Sequence, residues 1–247
     1  MHLLLRGIRP ERGGCGLPHR HLSTDGYRGV TTTRNARLMV TAAERNASLD
    51  PGVLDRLGIT DLESGLAVAR GALSLLREGG KVALGAGQDM YLVHVAMAGL
   101  LARAQGFHEG AVAAIEADNP YAAFTLLRAY AENAAALLYL RDKPQTVLKL
   151  VGDPNAPGVK PGVLTNYAKK HSGGFTAIYE QLSQYAHPAS RSVLASQDIV
   201  EHEDGTTLVW KSAPQFGSEF DRLMACAWTF ELADAHGAML GAFRTSP

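Results

Sequence analysis

Cysteine is scarce. Only Cys15 and Cys226 occur in 247 residues, too few and too far apart for a disulfide framework, so the chain reads as cytoplasmic. An excess of one charge is also missing: 24 Lys and Arg balance 24 Asp and Glu, which removes the global basic field that nucleic-acid or membrane binding would announce. Any such partner would have to be met by a local patch. No run of about 18 uncharged apolar residues exists, and the apolar core of MHLLLRGIRPERGGCG is too short for a signal peptide. Neither export nor membrane insertion is expected. Gly85-Ala-Gly-Gln lacks the Lys-Ser/Thr ending of a phosphate loop. There is no dinucleotide fingerprint, zinc-finger spacing or paired-carboxylate helix motif. No cofactor and no metal are expected.

What is present is apolar periodicity, with 46% hydrophobic content, enough for a real core. Residues 1–45 lack periodicity, and residues 1–50 carry eight Arg against four acids. They read as a flexible basic tail, and Met39 is an alternative start. In that tail Cys15, His19 and His21 are three metal-ligand types, one short of a zinc set. Residues 46–247 read as one helical domain. A capping box is expected at Thr60, followed by a helix with Leu62, Leu66, Ala69, Leu73 and Leu76 on one face, stopped by Gly79-Gly80. A second helical region runs from Asp89 to Ala117, with a break at Gly106 or Gly110 left open. Asn119-Pro120 opens a third, to Leu140. Proline-rich loop follows over 142–162, then a helix from Val163 to His187, ended by Pro188. The period changes to two over Ser192–Val200 and Thr206–Lys211, and Glu-His-Glu-Asp-Gly between them is turn chemistry. A last helix spans Gly217–Phe243. The fold class is therefore all-α, an antiparallel helical bundle with one β-hairpin at about 191–212 inserted before the last helix.

Within LLRAYAENAAALLYL (Leu126–Leu140), Arg128 and Glu132 are the charges in a helix apolar nearly all round. Four residues apart, they share a face, but the favourable order is acid before base, so a partner from another helix is also expected. Tyr179, Ser183 and His187 recur every four residues and make a phenol, hydroxyl and imidazole stripe. Pro188 places His187 among helix-end carbonyls, an environment favouring its charged form. Arg103 with His108, and Arg12 with His19, are Arg–His pairs at spacings that nine histidines and many arginines produce by chance. Glu201-His202-Glu203-Asp204 matches a metal cluster in composition only. Trp210 and Trp228 read as core or contact residues, because no basic stripe accompanies them. Two readings stay open: a buried polar network that fixes helix register, or one that also lines a site.

The segments TLLRAYAENAAALLYL and YEQLSQYAHPASRSV resemble a bacterial family of helical proteins related to the HEPN superfamily, through Arg128, Glu132, Tyr179, Ser183 and His187. The resemblance is good over two windows of about fifteen residues and weak elsewhere. It implies homodimerisation and, for many members, metal-independent RNA cleavage in toxin or defence settings. On that basis His187 would move the proton, Arg128 would hold a phosphate of RNA or of a phosphorylated small ligand, and Glu132 would orient one of them. The sequence departs from the active pattern, because no Arg four to six residues before His187 accompanies it. The alternative is a non-catalytic binding or scaffold homodimer in which the same five residues are structural.

Overall fold

The computed structural model describes residues 52–85, 90–152, 157–187, 190–193, 197–202, 205–210 and 213–243. In chain order these form α1 (Gly52–Leu57), α2 (Leu62–Gly71), α3 (Leu73–Ala83), α4 (Leu92–Glu116), α5 (Pro120–Asp142), a 3-10 turn (Pro144–Thr146), α6 (Val147–Val151), α7 (Pro161–His171), α8 (Phe175–Ala186), α9 (Ser190–Val193), β1 (Gln197–His202), β2 (Gly205–Trp210) and α10 (Glu219–Gly241). The packed body is all-α. The two strands pair antiparallel, Gln197 opposite Trp210 through His202 opposite Gly205. The tail over 1–45, with its Cys15 cluster, lies outside the described residues, as do Glu203 and Asp204.

Local chemistry explains the boundaries. Asn119 caps α5 by accepting the Ala122 N–H at 3.1 Å, and Pro120 takes the first helical position, where no N–H is needed. The first capping box sits one residue later than expected: Asp61 accepts the Ser64 N–H at 2.8 Å while Ser64 Oγ accepts the Asp61 N–H at 3.1 Å. Aspartate, charged and short, displaces the threonine beside it from the role. The helix expected from Leu62 to Gly79 is two helices, divided at Ala72. Gly79-Gly80 does not stop α3; both glycines lie inside it. A Cβ on Gly79 would come within 2.6 Å of the Gly237 carbonyl oxygen, so Gly79 and Gly237 let α3 and α10 approach backbone to backbone, while Gly80 makes room for the Leu101 side chain of α4. The helix expected over 163–187 breaks at Ser172-Gly173-Gly174, where Gly174 takes a φ of 80°. Conversely, α4 runs through Gly106 and Gly110 without interruption.

Helix α5 is the centre. It packs against α4, α7, α8 and α10, and buries Phe124, Leu127, Tyr130, Ala131, Leu137 and Leu140 almost completely. Phe124 stacks on Tyr185 of α8 at 3.9 Å and meets the Trp228 ring of α10 edge-on at 6.0 Å. Burying such side chains contributes about 1.5–3 kcal/mol each. Contacts of α5 with α8 run in opposite sequence order, Tyr185 on Phe124 and Tyr179 on Arg128 and Glu132. Those with α10 run in the same order, Trp228 at Phe124 and His236 at Tyr130.

Candidate functional site

Arg128 and Glu132 leave α5 on the face that meets α8. Arg128 Nη2 lies 3.3 Å from Glu132 Oε1 and donates to the Tyr179 hydroxyl at 3.3 Å, and that hydroxyl donates to Glu132 Oε1 at 3.0 Å. The guanidinium also lies over the Tyr179 ring, 5.6 Å from its centroid. The three groups thus close a triangle in which the phenol supplies the interhelical partner that the reversed Arg–Glu order calls for. Arg128 Nε is buried without an acceptor among the described residues.

Ser183 and His187 stand apart from that triangle. Ser183 Oγ donates to the Tyr179 carbonyl at 2.7 Å, the back-bond of a serine within a helix. His187 caps α8 in extended conformation, φ −106° and ψ 155°, and its side chain is exposed; its carbonyl accepts from Ser192 Oγ. Arg103 and His108 point to different neighbours. Arg103 donates through Nε to Asn133 Oδ1 at 3.3 Å and covers Phe107, whereas His108 is buried against Tyr130, ring centroids 6.1 Å apart. Trp228 belongs to the core. No group of three or more metal-ligating side chains is assembled among the described residues.

A second polar layer, which sequence reading missed, crosses the core at Asn133. Its Nδ2 donates to the Leu100 carbonyl at 2.9 Å and stands 3.2 Å from His236 Nε2. His236 Nδ1 lies 2.7 Å from the Leu232 carbonyl, which fixes the neutral tautomer: Nδ1–H donates, Nε2 accepts from Asn133. Burial pushes the His236 pKa down to about 4, against the pull of the Leu232 carbonyl, and His108 adds to the lowering. His108 is also lowered by burial, against the Ala69 carbonyl and Glu109; neither ring nitrogen attains hydrogen-bond geometry. Tyr130 stacks on His236 at 4.6 Å, and burial raises its phenol. Cys226 is fully buried, its thiol pushed up to about 11, so it is no nucleophile. The available signal was Asn133 itself, an amide in an apolar helix.

The space best suited to a ligand lies on the other side of α5. A cavity of about 580 Å³ opens between α5, the α7–α8 turn, α10 and α1. Alanines hollow it out: Ala131, Ala134 and Ala135 from α5, Ala168 from α7, Ala177 from α8 and Ala235 from α10. Leu138, Phe175, Met224, Trp228 and Leu232 complete a floor that is itself buried. Arg56, Arg141, His171, Glu231 and Asp234 supply its charged and titratable side chains. None of Arg128, Glu132, Tyr179, Ser183 and His187 lines it, although Phe175 and Ile178 do and Phe175 stacks on Tyr179 at 5.4 Å. No family model, no curated protein and no solved structure matches this chain.

Proposed function

We propose that this chain is a non-catalytic helical protein that binds a small, largely apolar molecule in the cavity between α5, α8 and α10. The cavity carries the reading: its volume falls in the range of small-molecule sites, and a buried apolar floor under a polar rim is the lining such sites have. The Arg128–Glu132–Tyr179 triangle supports it, since these charges engage one another and brace α8 against α5, the wall of the cavity. A neutral environment-sensitive dye such as Nile red tests the reading. Its emission should rise saturably with wild type and lose most of that rise with Ala177→Trp, which fills the cavity from an exposed position. Equal emission from both proteins would contradict it.

The Arg128 Nε without an acceptor and the exposed His187 favour a second reading, a HEPN-like ribonuclease or phosphate-ligand-binding protein. Expression of wild type and of His187→Ala, with cellular RNA integrity followed, decides its ribonuclease form: degradation by wild type alone supports cleavage, and intact RNA in both ends that form. In either reading we infer an antiparallel bundle with the β1–β2 hairpin as an insertion. A pair of strands this short is marginal alone and gains from packing on a second copy of the chain. Among the described residues no helix is long and apolar enough to cross a membrane.

A further inference from the structure

The charged lining of the cavity is balanced. Arg56 and Arg141 line it together with Glu231 and Asp234, two charges of each sign, and the floor beneath has none. Three of the four have a partner nearby already: Arg56 and Glu231 stand 3.9 Å apart in the rim itself. Arg141 donates through Nε to Asp142 at 2.7 Å, outside the cavity. His171 is turned to its own helix: its Nδ1 lies 2.8 Å from the Tyr167 carbonyl and its ring stacks on Tyr167 at 3.9 Å. A charged head group at this rim would lose part of its hydration and would meet no surplus of opposite charge to offset that loss. The uncapped start of α8 at Gly174 favours an anion, but Asp234 in the same lining opposes it, and the effect of one helix end is small and screened. Neutral polar groups in the lining include Ser172 and the backbone of Gly173-Gly174.

We infer that the ligand is an uncharged amphiphile: an apolar chain or ring body on the alanine, Trp228 and methionine floor, and a neutral hydrogen-bonding head at the rim. The inference rests on the cavity being a binding site and adds the charge class of what it takes. Trp228 is in the lining, so its emission reports occupancy. Trp210→Phe leaves it the sole tryptophan, since the chain has two.

The test titrates this variant with three ligands that share one chain and differ in head charge: 1-decanol, decanoate and decyltrimethylammonium, all below their aggregation concentrations. Decanol should saturate the Trp228 signal with a Kd at least tenfold below that of either ion, and its Kd should not move with added salt. A decanoate or decyltrimethylammonium Kd equal to or below that of decanol overturns the charge assignment and leaves the cavity reading standing. Silence of Trp228 to all three, with Nile red still bound, also overturns it alone. Silence to all three and to Nile red overturns both.

Discussion

Asn133 joins three helices through one amide: Arg103 and Leu100 on α4, and His236 on α10. Asn133→Leu should lower stability by about 2–3 kcal/mol in urea denaturation, because His236 Nε2 and the Leu100 carbonyl lose a buried donor. His236 itself gives stability a pH dependence of definite sign. Its folded pKa, about 4, is below the ordinary 6.5, so the unfolded chain takes the proton first. Stability is complete above about 6.5 and falls as pH drops toward 4. For this ring alone the loss at pH 5 is roughly 2 kcal/mol relative to pH 7, and His236→Asn should flatten the profile measured by denaturation at the two pH values. On the α8 side, Tyr179→Phe removes the hydroxyl shared by Arg128 and Glu132. A loss of about 1 kcal/mol is expected, modest because both charges are partly exposed. At this scale the sequence was readable where a charge interrupts an apolar helix, as at Arg128 and Glu132. At Asn133 and His236 it offered a polar group in an apolar helix and no more, because an amide or imidazole among apolar residues does not say which neighbour it will find.

Glycine separates what elements need from what residue types suggest. Gly79 reads as a helix stop, yet it is a contact point where α3 meets Gly237 of α10. Gly79→Ala should therefore destabilise by about 1–3 kcal/mol, since the added methyl runs into backbone rather than into a side chain that can turn away. Gly106 in α4 has nothing within 4 Å of an added Cβ. There the same substitution should stabilise by about 0.5–1 kcal/mol, the ordinary gain of alanine over glycine in a helix. Opposite shifts in Tm for the two variants would check the distinction. Starts of helices were legible because their signals are local, as with Asn119-Pro120. The division at Ala72 and the continuity through Gly106 were not, because both depend on which helix lies alongside.

In the whole molecule, α5 divides two environments. Away from the cavity it carries the polar groups of the Arg128 and Asn133 networks, and toward the cavity it carries alanines that leave space. Alanine is a favourable helix residue wherever it stands, so Ala131, Ala134, Ala135, Ala168 and Ala177 look alike whether they pack tightly or border a void. Packing made the buried helix legible; the cavity exists only once α5, α8 and α10 are brought together. If this space is a binding site, a ligand that fills it must stabilise the fold. With 1-decanol near a hundredfold over its Kd, wild type should gain about 2.7 kcal/mol, seen as an upward shift in Tm. Ala177→Trp, folded and with the space filled, should show no such shift. A wild-type Tm that does not respond, or an equal rise in both proteins, would contradict a binding role.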